Sequence, residues 1–293
     1  MMTTPASKYV PAPFSSVLMR PVRSAGRRLS GMLGEIGQIG VFTGKTLILL
    51  PKTVKHYRSA TWKTMNGMAW GSGSLIVDGG VVSLMLFLGV AVGAVVAIEA
   101  YMAFNLLGFG ALTGIVGSFG NLRVIAPIIT GIGFAAQAGC RMTAEIGAMR
   151  ISEEIDATES MGLQAIPFVV GTRVIGGMLI VLPGYLMALV VSFFTCGLIV
   201  KVFDNQPAGT YDHYFTQMLT LPDLGASLAK VLVFCVIVTL IHCYYGYFAS
   251  GGPAGVGAAS GRAIRASLVA IVVLNFAMTV AIWGLSPMLV FKG

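Results

Sequence analysis

The stretch 81-VVSLMLFLGVAVGAVVAIEAYMAF-104 carries one charged side chain, Glu99, in twenty-four positions. At a rise of about 1.5 Å per residue, a helix of this length reaches about 36 Å. That exceeds the roughly 30 Å hydrocarbon core of a bilayer. Four more runs of spanning length follow, at about 111–140, 168–200, 226–249 and 264–285, the first beginning at about 79. Composition agrees. The mean hydropathy is +0.86, with 56% hydrophobic and 10% charged residues, against about 25% charged in soluble domains. The expected fold is an all-α integral membrane protein with five transmembrane helices. At 293 residues little chain is left for a water-soluble domain.

Working outward, residues 1–26 are rich in Pro, Ser and Arg and read as a mobile cytoplasmic tail. Residues 27–70 read as interfacial amphipathic helices: Leu29, Met32, Leu33 and Ile36 recur at helical spacing, and Lys52, Lys55, Arg58 and Lys63 alternate with Val54, Tyr57, Trp62 and Met65. The run 36–50 is too short to span, at about 22 Å, and stops at Pro51. Residues 71–293 then form the five-span domain. No apolar core of signal-peptide length occurs in the first thirty residues. Ten of the nineteen Lys and Arg precede residue 64. With the N-terminus inside, Arg141, Arg150, Arg173, Arg262 and Arg265 also fall on the cytoplasmic side, against Lys201, Lys230 and Lys292 outside. This bias predicts a multi-pass protein of the cytoplasmic (inner) membrane with its C-terminus outside. The net charge of +8 is therefore membrane-facing rather than a nucleic-acid footprint.

Catalytic and metal patterns are missing. The four cysteines lie in apolar segments without paired spacing, and no GxSxG or HExxH occurs. The stretch 40-GVFTGKT-46 imitates a phosphate loop, but Ile39 stands where its first glycine is needed. Asp204, Asp212, His213 and Asp223 share an outer loop, 201–225, at irregular spacing, which reads as solvated rather than metal-binding. Gly89 and Gly93, Gly110 and Gly114, and Ala135 and Gly139 sit four apart, which allows close helix approach. Glu99 and Arg123 each read either as a snorkelling anchor or as a residue lining a polar cavity. No chain of Asp, Glu and His crosses the middle of the spans, which argues against ion coupling.

The connector 141-RMTAEIGAMRISEEIDATESMG-162 holds seven of the thirty charged residues. Glu153, Asp156 and Glu159 are spaced three apart, with Ile151, Ile155 and Met161 supplying apolar contacts. It reads as a short amphipathic helix with an acidic flank, and either a solvated loop or a helix pressed into a partner's groove is compatible with it.

Residues 143-TAEIGAMR-150, continuing through Ser152-Glu153 to Met161-Gly162, resemble the signature of the MlaE/YrbE permeases. The likeness extends to Leu122-Arg123, Ala126-Pro127, Gly255, Ala259 and Arg262. These permeases are membrane subunits of ABC-type lipid transporters that work with MCE-domain proteins. The resemblance implies a coupling helix at about 145–161, seated on a separate cytoplasmic ABC ATPase (MceG/MlaF-like) that binds ATP and Mg. The chain itself would be no enzyme and would bind no cofactor directly. Glu145, Arg150, Glu153, Glu154, Asp156 and Glu159 are the coupling candidates. Glu99, Tyr101, Arg123 and Gln137 are candidates for a lipid cavity. Many members read Leu-Arg-Glu where this chain has Leu122-Arg123-Val124, an Arg where Gln137 stands, and a small residue for Arg141. Those departures resemble the B-type YrbE subunit of actinobacterial Mce systems, paired with an A-type subunit. The implied activity is import of a lipid or fatty acid, with MCE-domain proteins on the outer face. A membrane scaffold that anchors those proteins without conducting lipid is the alternative, and a secondary transporter is third.

Overall fold

The computed structural model describes residue 34 and residues 37–71, 80–204 and 206–284, with the side chain of Ala111 excepted. The tail 1–26 and the stripe Leu29, Met32, Leu33 and Ile36 lie outside the described residues. The chain divides into two units, Met1–Lys45 and Thr46–Gly293. Of the first, residues 37–45 are described as helix, so the phosphate-loop imitation is helical rather than a loop. All that follows concerns the second unit.

Helix α1 (residues 37–56) continues into the second unit and is followed by α2 (Arg58–Trp70). Five helices long and apolar enough to cross a membrane come next: α3 (Val81–Asn105), α4 (Thr113–Ile151), α6 (Ile166–Phe203), α8 (Leu221–Tyr247) and α9 (Gly252–Trp283). Between them lie two shorter helices, α5 (Glu154–Ser160) and α7 (Ala208–Met218). The protein is an all-α integral membrane protein, and the described residues contain no β-sheet. Helix α3 matches its hydropathy run closely, whereas α4 continues past its run to Ile151 and α8 and α9 begin before theirs, at Leu221 and Gly252, because helical hydrogen bonding continues into more polar sequence.

Helix α6 packs on α3 and α8, and α8 also packs on α4 and α9. Lipid gives little hydrophobic drive to helix association, so close van der Waals fit must supply it. Gly89 and Gly93 provide that fit: an added Cβ at Gly89 would come within 2.5 Å of the Ala188 carbonyl oxygen, and one at Gly93 would strike Ser192. Gly114 is similarly closed by Tyr211, and Gly139 by the ring of His242. The small-residue spacing thus serves packing within one bundle. Across the α4–α6 contact, the buried Asn121 amide donates to Ser192 Oγ at 2.7 Å.

Antiparallel succession puts the 152–165 connector, the 248–251 turn and α2 at one end of the bundle, here called the connector end. Residues 106–112, α7 and Trp283 lie at the opposite end. At the connector end, Thr53 Oγ1 donates to the Pro167 carbonyl at 3.1 Å, and Tyr57 meets Phe168 with ring centroids 5.5 Å apart. Met68 of α2 reaches the space above Gly176 in α6. Arg58, Trp62 and Lys63 remain exposed on the other side of α2.

Two expectations need correcting. The connector is not one helix over 145–161: α4 runs on to Ile151, the chain turns at Ser152 and Glu153, and α5 starts afresh. The segment 201–225, expected to be a solvated outer loop, is largely helical. Tyr211 of α7 is buried, its hydroxyl pointing to Cys196 Sγ at 3.5 Å, and burial pushes its phenol pKa up.

Candidate functional site

The turn at Glu153 has φ of 60°, the left-handed region that costs a side-chain-bearing residue roughly 1–2 kcal/mol. What offsets it is visible on both flanks. Ile155, two residues past the turn, is completely buried. Arg150 reaches across the turn to Asp156 at 2.6 Å, and the Tyr247 hydroxyl at the end of α8 donates to Glu159 at 3.3 Å. At the far end of α5, Gly162 takes φ of 79°, and the amide of Leu163 bonds back to the Thr158 carbonyl at 3.3 Å. This is the glycine-terminated helix stop expected from sequence chemistry.

The result is a short helix stapled under the bundle with its acidic side outward. Glu153, Glu154, Asp156 and Glu159 are exposed, beside exposed Ile151, Met161 (70%) and Leu163. Ser152 Oγ donates to Glu154 Oε1 at 3.1 Å. Ile155, read from sequence as a partner contact, instead faces its own bundle. Arg150 and Asp156 are joined to each other, which leaves Glu153 and Glu154 as the carboxylates most open to a partner.

Glu145 lies elsewhere. Its carboxylate accepts from Arg141 Nε at 2.8 Å and from Arg173 of α6 at 3.1 Å. Arg141 also donates to the Gly67 carbonyl of α2 at 3.0 Å. One carboxylate therefore ties α4 to α6, and through Arg141 to α2. Its geometry suits holding the end of the bundle together rather than presenting charge to a partner.

The four cavity candidates do not converge. An apolar cleft of about 580 Å³ opens between α3 and α4, lined by Leu88, Val92, Val95, Glu99, Phe104 and Ile125 among others. Among the described residues, Glu99 is the one ionisable side chain that lines it. The Tyr101 hydroxyl accepts a long bond from Gln206 at 3.4 Å, and its ring edge lies over Gly110. Gln137, half-buried in a wide turn of α4, is some 12 Å along the helix from the cleft residue Ile129. Arg123 turns away into a buried cluster.

That cluster escaped the sequence reading. Arg123 pairs with Asp223 at 2.8 Å, and Asp223 also accepts from Trp283 Nε1 at 2.7 Å and Thr220 Oγ1 at 2.8 Å. Lys230, fully buried, donates to the Arg123 carbonyl at 2.6 Å and to Thr279 Oγ1 at 2.8 Å. The Arg123 guanidinium lies 3.9 Å from the Phe119 ring centre. Asp223 stands in the first turn of α8 rather than in a loop, Lys230 lies further along the same helix, and Arg173 lies within α6. A signal for the boundary existed: Thr220-Leu-Pro-Asp223 is a capping arrangement, with Thr220 Oγ1 accepting from the Asp223 amide at 3.3 Å and Pro222 in the first turn. His242 is buried further along α8, its Nδ1 against Thr143 Oγ1 at 2.8 Å.

The comparisons fit this architecture. The family model for permease MlaE matches residues 74–281, which takes in the connector and nearly all of the five spans. A probable ABC transporter permease protein of Synechocystis sp. is 34% identical over 193 residues, covering 63% of this chain and 70% of that protein. Another from Rickettsia bellii is 30% identical over 188 residues, covering 64% and 72%. The intermembrane phospholipid transport system permease protein MlaE of Haemophilus influenzae is 23% identical over 268 residues, covering 90% and 97%. Five spans, a stapled connector between the second and third, and a family match across most of the chain lead to one assignment: the chain belongs to the MlaE permease family.

Proposed function

We propose that this protein is the permease subunit of an ABC-type lipid transporter of the Mla or Mce kind, forming half of a lipid path driven by a separate cytoplasmic ATPase. The observation that carries the reading is the connector surface. It exposes Glu153, Glu154, Asp156 and Glu159 together with Ile151, Met161 and Leu163, the composition of a segment seated in a partner's groove. The basic bias of the N-terminal segment supports a cytoplasmic position for that surface. ATP and Mg belong to the ATPase, and closure of two such motors would move the connector, α4 and α6 as one piece through Glu145 and Arg173. Lipid cargo accords with the name of the Haemophilus relative, a permease of an intermembrane phospholipid transport system, and an inner-membrane location is part of the proposal. Pairing with an A-type YrbE subunit, contact with MCE-domain proteins on the outer face, and import as the direction are the finer parts of the proposal.

The test is charge reversal of Glu153 and Glu154 together, which leaves the Arg150–Asp156 pair intact. The ATPase should dissociate from the purified complex and ATP-dependent lipid movement should stop. Retention of both in the reversed protein refutes the docking assignment. Expression of this chain alone should give no active ATPase-coupled homodimer, and a well-behaved one would refute the asymmetric pairing.

A further inference from the structure

Glu99 is exposed on α3, and no ion pair or hydrogen bond engages it among the described residues. It sits six residues before Asn105, the last residue of a helix of 25. That places it about 9 Å along the axis from the helix end. Helix α3 is about 37 Å long against a hydrocarbon core of roughly 30 Å, so a helix centred on that core puts Glu99 about 5 Å inside its edge. The cleft wall on α3 runs from Phe104 past Glu99 to Leu88, and the part below Glu99 is eleven residues or about 16 Å long. This is close to the depth of one leaflet. The other wall is Val116, Ile125 and Ile129 of α4. A cleft of about 580 Å³ falls within the range of roughly 300–1,000 Å³ that holds small ligands.

We propose that this cleft binds a lipid with an amine-bearing headgroup, its ammonium on the Glu99 carboxylate and an acyl chain along the wall toward Leu88. This rests on the reading of the protein as a lipid permease and narrows its cargo. A carboxylate on the wall of an otherwise apolar cleft is complemented by a cation, and an amphiphile supplies both the cation and the chain. The same charge repels an ionised fatty acid or an anionic phospholipid, so it selects by sign as well as by shape. The neighbouring cations do not answer it: Arg123 is engaged by Asp223, and Lys230 by a carbonyl and a hydroxyl.

The experiment uses the full chain in vesicles with equal amounts of phosphatidylethanolamine and phosphatidylglycerol, each in turn carrying a photoreactive group near the end of one acyl chain. Cross-links are mapped to residues 81–129 by mass spectrometry. Phosphatidylethanolamine should label this region several-fold more than phosphatidylglycerol. Glu99→Gln should equalise the two, and Glu99→Lys should reverse them. Equal labelling of the unaltered protein, or a preference that survives Glu99→Gln, overturns the proposal. So does absence of lipid labelling together with cross-links between two copies of the chain, since a second copy would then cover the cleft. Loss of ATP-driven lipid movement in a separate assay would count against the transport reading alone, because headgroup preference is measured without nucleotide.

Discussion

Arg173 of α6 donates to the same Glu145 carboxylate that accepts from Arg141, joining the connector ends of two spans at 3.1 Å. Arg173 is largely buried while Glu145 is partly open, so the pair is worth less than a wholly buried one. Glu145→Ala should destabilise the protein by roughly 1–2 kcal/mol, since a mostly buried guanidinium is left short of an acceptor. Arg141→Ala should cost less, because Glu145 retains Arg173. Thermal unfolding of both variants in detergent, compared at one lipid content, checks the ranking. Equal losses would contradict it.

The close approach of α3 to α6 leads to a second expectation. Gly89→Ala puts a methyl group against the Ala188 backbone, which cannot retreat as a flexible side chain could. Overpacking of this kind costs about 1–3 kcal/mol. Gly257→Ala in α9 has open space around it and should leave stability unchanged. Melting temperatures of the two alanine variants provide the comparison, and a neutral Gly89→Ala would mean the spans can separate freely.

Asp223 is the acceptor on which Arg123, Trp283 and Thr220 converge. Asp223→Asn removes the countercharge to a mostly buried guanidinium and should cost about 3 kcal/mol. It should also loosen Trp283, whose indole would lose a charged acceptor. With Trp62 and Trp70 replaced by Phe, the remaining emission should shift to the red in the Asp223→Asn protein. An unshifted spectrum with unchanged stability would show that the cluster does not hold α4, α8 and α9 together.

Ile155 and Met161 should separate anchoring from docking. Ile155→Ala empties a fully buried site and should speed amide exchange across residues 153–162, with a cost of about 2–4 kcal/mol if the loss is global. Met161→Ala, at an exposed position, should leave exchange and stability unchanged but weaken ATPase retention. Hydrogen exchange and co-purification measured on both variants decide this. Identical behaviour of the two would remove the distinction.

The sequence by itself determined that the protein is helical, crosses a membrane five times and carries an acid-rich connector between its second and third spans. These properties follow from composition along a line: an apolar run long enough to cross hydrocarbon must satisfy its backbone internally, and a helix does so. The glycine pairs at Gly89 and Gly93 were also legible, because spacing of four repeats one helix face. Only the tertiary structure decided which charges meet. The sequence reading leaves Asp223 in a loop, 201–225, whereas Arg123, a hundred residues away, and Trp283 meet it in the first turn of α8. It likewise decided that Glu145 braces α4 against α6 while Glu153 and Glu154 stay open. It turned Ile155 inward, because the break at Glu153 sets which face of α5 meets the bundle. Charge pairing and facing depend on distances through space, and no pattern along one chain encodes them.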